Sequence, residues 1–342
     1  MRGARPEAHD VAAAAQLACL LEVSAPKPGN VSPGRHFHDT RYEDFLASAA
    51  AIGPPLALAG DRPLGATVLA AVEATRRWTR ANTNLGIILL LAPLARAALT
   101  ASGGPAGAGA RVGPAWGPAP EDDDTTHGQQ RITDPSPVGP GSRLTSLRAA
   151  VAGVLASTTV ADAADLYAAI LRAGPAGLGR VTAEDVHEVP RVTLQAAMAL
   201  AAERDAVARE YATDFATTFE VGVPTLAGAR SGGLAWEDAV VETYLVLLAS
   251  GPDTHVARKL GPEIAAKISR RARRTVDAGG VRTAGGRRMM AALDRWLRDE
   301  RNANNPGTTA DLTAAAIFVH LLDGGWWAQE ESGHGYDGYA HG

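Results

Sequence analysis

The sequence predicts an all-α protein, and three observations predict it. Aromatics are only 5% of the 342 residues while apolar residues as a class are 46%, so alanine, leucine and valine must build the core. Alanine is the best helix former, because it loses no side-chain entropy and buries no polar group. Apolar residues also recur at helical spacing, as with Phe45, Ala49 and Ile52. No β-branched run alternates with period two, so no strand is expected.

The helices are expected in order at 9–24, 42–58, 65–80, 84–99, 145–157, 161–172, 192–219, 235–250, 254–274, 286–300 and 308–322. Pro26, Pro28 and Gly29 end the first, since proline cannot continue a helix and glycine permits the turn. The polar break Ala81-Asn82-Thr83 separates the third from the fourth. Asp162 and Asp253 fall where an oxygen side chain can accept an orphan backbone N–H. Residues 101–142 are crowded with Gly, Pro and Ala and carry the acidic run Glu121-Asp122-Asp123-Asp124. They hold too little apolar surface to offset their ordering entropy, so a disordered insertion is expected, with the acidic run solvated rather than metal-binding. Residues 324–342 read as a flexible tail whose Trp326 and Trp327 can pack back on the body. Residues 1–323 are therefore expected to form one helical domain.

The net charge of −4 and pI near 6.1 lack the basic excess of a nucleic-acid footprint. A single cysteine, Cys19, excludes an intrachain disulfide and a thiolate-rich metal site. The N-terminus does not read as a signal peptide. No apolar run reaches the ~18 residues of a membrane span; the strongest, Leu85 to Leu94, is too short. The expected location is the cytoplasm, without a nucleic-acid or membrane partner, and the reading allows a homodimer.

Chemistry is signalled by polar punctuation at five helix junctions. Glu22 is followed by Pro26-Lys27-Pro28-Gly29-Asn30, a stiff loop whose Lys27 suits a phosphate oxygen, or an ordinary helix stop. His36-Phe37-His38-Asp39-Thr40 is a capped helix start, or a place where Asp39 serves magnesium, which prefers carboxylates, waters and phosphates. Asn82-Thr83-Asn84-Leu85-Gly86 opens a strongly apolar helix, whose free N–H groups favour an anion. Asp253-Thr254-His255 leads to Arg258 and Lys259 one turn later. Asn304-Asn305-Pro306-Gly307-Thr308-Thr309-Ala310-Asp311-Leu312 again joins a polar loop to a helix start, with Asp311 as a dipole partner or a magnesium ligand. Capping accounts for each alone, but five exceed what folding requires. Their convergence would make a cleft suited to a nucleoside triphosphate with magnesium.

These segments resemble the triphosphoribosyl-dephospho-CoA synthase family. Glu22-Val23 with Pro26-Lys27-Pro28-Gly29 is similar to its "EV…PKPG" opening, and Asp39, Phe45 and Ser48 to its "D…F…S" stretch. Asn82-Thr83 and Gly86 fall on "NTHKG", Asp253-Thr254 on "DTN", and Pro306-Gly307 with Ala310-Asp311-Leu312 on "SPGGSADL". Asn84-Leu85 replaces the family's His-Lys, His255 the asparagine of "DTN", and Thr308-Thr309 a Gly-Ser pair. These departures resemble a divergent branch linked to tetrahydromethanopterin one-carbon metabolism.

The resemblance implies an all-helical, ATP-using transferase of coenzyme biosynthesis. In its reaction the 2′-hydroxyl of 3′-dephospho-CoA displaces adenine from the ATP ribose, through an oxocarbenium-like transition state. The implied catalytic residues are Asp39, Asp311 and Glu22. The implied nucleotide contacts are Lys27, Gly29, Asn30, Asn82, Thr83, Asn84, Gly86, Asp253, Thr254, Arg258, Lys259, Pro306, Gly307 and Thr308, with Asp39 and Asp311 toward Mg2+. His38 or His255 is the expected proton donor to adenine. The alternatives are another transferase or hydrolase acting on a nucleotide or pterin precursor, and a non-catalytic helical binding protein.

Overall fold

Two helices that are apolar on nearly every side stand at the centre of the computed structural model, and the others wrap around them. The structure describes residues 6–101, 140–175, 179–180, 184–298 and 302–327, with side chains from 143 onward in the second stretch. Most of the expected insertion, its acidic run included, and the tail beyond 327 lie outside the described residues.

In chain order the helices are α1 (Ala8–Ser24), α2 (Tyr42–Ala57), α3 (Leu64–Arg76), α4 (Leu85–Thr100), α5 (Pro140–Ala156), α6 (Val160–Ala173), α7 (Leu194–Ala201) and α8 (Ala206–Ala212). Then come α9 (Val223–Ser231), α10 (Trp236–Ser250), α11 (Thr254–Leu260), α12 (Pro262–Asp277), α13 (Ala284–Leu297) and α14 (Gly307–Leu322). No strand occurs among the described residues; Ser32 and Arg35 form one isolated bridge. The all-α expectation holds.

The central helices are α4 and α14. Ile87 to Leu94 and Leu312 to Leu322 are buried without interruption, as expected of helices that are hydrophobic all round. α14 packs on α1, α4, α9 and α10, and α1 pairs with α2, α3 with α6, and α12 with α10 and α13. The core is rich in alanine, with Ala314, Ala315 and Ala316 fully buried, so backbones approach closely. Among the described residues, no single helix is long and apolar enough to cross a membrane.

Two expected helices are broken. The stretch 192–219 splits into α7, α8 and a π-type turn at Thr218–Gly222. At the first break Asp205 caps α8 by accepting the Val207 and Ala208 N–H groups; at the second the buried Glu210 carboxylate accepts the backbone N–H groups of Thr217 and Thr218 and the Thr218 hydroxyl, while Asp214 and Phe215 take φ of 49° and 59°. The stretch 254–274 breaks at Gly261, whose φ of 91° ends α11 and lets Pro262 start α12. α9 was not expected, and α5 begins earlier than expected. Thr159 caps α6, and Asp162 completes its capping box instead of acting as the cap. Trp326 does pack back, stacking on Trp236 at 5.3 Å between ring centroids.

Candidate active site

The first turns of α4, α8 and α14 and one face of α11 border a cleft of about 610 Å³, within the usual range for small-molecule sites. All five polar junctions reach it. Glu22 and Asn30 come from the α1–α2 side, Asp39 and Thr40 from the loop before α2, and Asn82 to Gly86 from the start of α4. Arg258 and Lys259 come from α11, and Gly307, Thr308 and Asp311 from α14.

Five expected contacts stand behind the lining and build it. Lys27 is fully buried, not a cation facing the cleft. Its ammonium lies 2.9 Å from Glu22 Oε1 and also donates to the carbonyls of Glu22 and Ala25. The loop folds inward because a buried carboxylate needs a counter-charge. Exchanging Lys27 for methionine is expected to cost about 3–5 kcal/mol of stability in urea titration, the usual result of breaking a buried pair from one side. An unchanged midpoint would mean that Glu22 is not buried beside that ammonium.

Gly29 is likewise structural. Its φ is 74°, its N–H donates to Asp294 Oδ1 at 2.8 Å, and a Cβ there would stand 2.8 Å from Leu297 Cβ. Asp253 caps α11 through Val256 N–H and accepts the Thr309 N–H and hydroxyl, each at 2.7 Å, which locks α11 to α14. The Thr254 hydroxyl accepts the Ala206 N–H and meets that of Thr308. Pro306 does not line the cleft. In the α4 junction, Asn82 caps Leu85 N–H, Thr83 meets the Ser48 hydroxyl, and Asn84 Nδ2 donates to Thr75 Oγ1 at 3.2 Å.

Four carboxylates among the described residues, Glu22, Asp39, Asp205 and Asp311, line the cleft. The Asp311 carboxyl lies against Gly86: a Cβ on Gly86 would stand 2.0 Å from Asp311 Oδ2. Burial, then the charges of Glu22, Asp253 and Asp205, raise the Asp311 pKa well above the usual carboxylate range. Burial, then Glu22 and Asp311, also push the Cys19 thiol up. Arg258 donates to Asp205 Oδ2 at 3.3 Å and to His255 Nδ1 at 3.2 Å. Burial, then Lys259 and Arg258, lower the His255 pKa to about 3, so its imidazole is neutral near pH 7, which weighs against the proton-donor role expected of it. His36 Nδ1 accepts the Tyr42 N–H at the start of α2, and His38 lies 3.7 Å from the exposed Asp39. Among the described residues no group of three or more His, Cys, Asp or Glu could hold a metal.

Sequence reading passed over Arg80, Asp205 and Asn302, which also line the cleft, and named Asn305 only as part of the fifth junction. Asn305 Nδ2 donates to the Gly29 carbonyl at 3.0 Å, tying the first junction to the last. The asparagine-rich run before Pro306 was its only signal.

Fold and cleft define an all-helical protein with a small-molecule-sized cleft lined by carboxylates and by Arg258 and Lys259. The chain belongs to the CitG family, described as ATP:dephospho-CoA triphosphoribosyl transferase, whose model matches residues 8–330. Two curated relatives carry the name probable 2-(5''-triphosphoribosyl)-3'-dephosphocoenzyme-A synthase. The Stutzerimonas stutzeri protein is 34% identical over 116 residues, covering 34% of this chain and 39% of that one. One from Pseudomonas aeruginosa is 36% identical over 108 residues, covering 31% and 36%. The chain thus spans under two fifths of the length of these two relatives. A solved structure from Archaeoglobus fulgidus that carries the triphosphoribosyl-dephospho-CoA synthase name matches with a TM-score of 0.56 and 27% identity, over 82% of this chain and 99% of that one.

Proposed function

We propose that the protein moves the triphosphoribosyl group of ATP to the ribose 2′-hydroxyl of 3′-dephospho-CoA and releases adenine. The observation that carries this reading is the meeting of all five junctions at one cleft, with a carboxylate centre beside Arg258 and Lys259. The acceptor oxygen forms a bond to C1′ as the bond from C1′ to adenine breaks. The hydroxyl gives its proton to the Glu22 carboxylate, and adenine gains one from Asp311.

Glu22 faces the cationic sugar of the transition state. Asp311, whose pKa is raised by burial and by neighbouring carboxylates, carries a proton and passes it to adenine; two carboxyl groups in unlike environments divide such roles. Arg258, Lys259 and Thr308 hold the triphosphate by position and charge.

Magnesium fits as a companion of the triphosphate, because it needs only one or two carboxylates besides phosphates and waters. The exposed Asp39 would supply that ligand and the metal would neutralise phosphate charge. The expected share of Asp311 is dropped, since a protonated carboxyl packed on Gly86 is a poor ligand. Soluble nucleotide substrates suit a cytoplasmic enzyme.

The test is incubation with ATP, magnesium and 3′-dephospho-CoA, followed by chromatography for adenine. Adenine release that requires dephospho-CoA is expected. ATP-dependent thermal stabilisation without adenine would keep the donor and replace the acceptor. Leu85, apolar at the cleft wall, favours such a second reading with a less anionic acceptor.

A further inference from the structure

The loop from Arg77 to Asn84 forms one wall of the cleft, and most of its polar side chains hold the loop itself. Arg76 Nη1 donates to the Arg80 carbonyl at 2.5 Å, and Thr79 Oγ1 accepts the Ala81 N–H at 3.1 Å. Asn82, Thr83 and Asn84 are tied to α4, α2 and α3 as described above. The loop is therefore braced at five points along its length.

Arg80 differs from its neighbours. It is exposed, it lines the cleft, and its guanidinium makes no ion pair or hydrogen bond among the described residues. Arg258, by contrast, is already bonded to Asp205 and His255. A guanidinium without a protein partner, on a braced backbone, presents a planar fork that matches phosphate oxygens. Ile170 and Pro175, at and just beyond the end of α6, add apolar surface to the cleft, and α6 packs on α3, which leads into the Arg80 loop.

The cleft thus has cations on two separate walls, Arg80 on the α3–α4 loop and Arg258 with Lys259 on α11. Two polyphosphorylated substrates repel each other strongly if they share one set of cations. Separate cations let the sugars meet over Glu22 and Asp311 while the phosphates stay apart. We propose that Arg80 anchors the diphosphate of the acceptor and sets its affinity, leaving the ATP triphosphate to α11. This assignment rests on the two-substrate reaction proposed above.

The test is calorimetric titration of the full chain with magnesium-ATP and, separately, with 3′-dephospho-CoA, for wild type, Arg80→Ala and Arg80→Lys. Arg80→Ala is expected to weaken dephospho-CoA binding by about tenfold or more, the usual worth of a charged hydrogen bond. ATP affinity and melting temperature should stay at the wild-type values, since the side chain is exposed and unbonded. Lysine should restore affinity only in part. In steady state, KM for dephospho-CoA should rise with kcat little changed. Unaltered dephospho-CoA affinity, or an equal loss for ATP, overturns the assignment while leaving the proposed function standing. Wild-type protein that binds ATP but no dephospho-CoA overturns the acceptor, and this assignment with it.

Discussion

Asp311→Asn is expected to abolish adenine release and, in the same protein, to raise the melting temperature. Loss of a proton-transfer group typically costs ~10²–10⁴-fold in rate. The stability gain comes from the raised carboxyl pKa, whose causes are burial first and the charges of Glu22, Asp253 and Asp205 next. A group with a raised folded-state pKa binds its proton more tightly when folded. Its contribution is complete below the unfolded pKa and is lost as pH rises through the folded one. Wild type should therefore lose stability on the alkaline side relative to the asparagine variant, and the two curves should converge toward pH 4. Asparagine keeps the shape without the charge. Thermal melts across pH, with adenine chromatography, read both effects. A variant of undiminished turnover removes Asp311 from the chemistry, and a variant less stable than wild type at pH 8 removes the charge crowding.

Gly86→Ala carries the second large effect, against helix propensity. Alanine replacing glycine in a helix usually adds up to ~1 kcal/mol. Here the new methyl would stand 2.0 Å from Asp311 Oδ2 and 2.5 Å from its Cγ. Real atoms do not approach so closely, so the Asp311 carboxyl must swing away or α4 and α14 must part. Turnover is expected to fall by ~10²-fold or more, the scale of a misplaced catalytic group, with the fold intact by circular dichroism. Full activity in this variant would show that the seat of Asp311 on α4 is not needed. Because Asp311 and Gly86 share one contact, the double variant should lose little more than either single one.

Much of the fold was legible because alanine-rich amphipathic segments leave few alternatives. The two fused helices failed for separate reasons. Glu210 looks like an ordinary helical glutamate in sequence, and only tertiary burial turns it into the cap that interrupts the helix. Gly261-Pro262 was a visible stop that the apolar periodicity overrode. At the site, motif order located the walls but not the direction of each side chain. Lys27 reads as a phosphate cation because its burial depends on Glu22, five residues earlier, turning inward with it. Arg80 was passed over because one arginine among Arg76, Arg77 and Arg80 carries no pattern, and what distinguishes it from the other two is its place in the cleft wall.

The bonds between the first junction and the last have a consequence in time. Asn30 and Asn305 are 275 residues apart, and Gly29 also waits for Asp294. At ~5–20 residues per second, roughly 14–55 s of translation separate the two ends. Throughout that interval α1 can pack on α2 but has no α14, and the part of its apolar surface that α14 covers stays open on the nascent chain. The cleft closes only once α14 has left the ribosome. Synthesis that stops short of residue 305 yields a chain without a pocket and with a sticky amino-terminal helix, a substrate for holdase chaperones rather than a partly active enzyme.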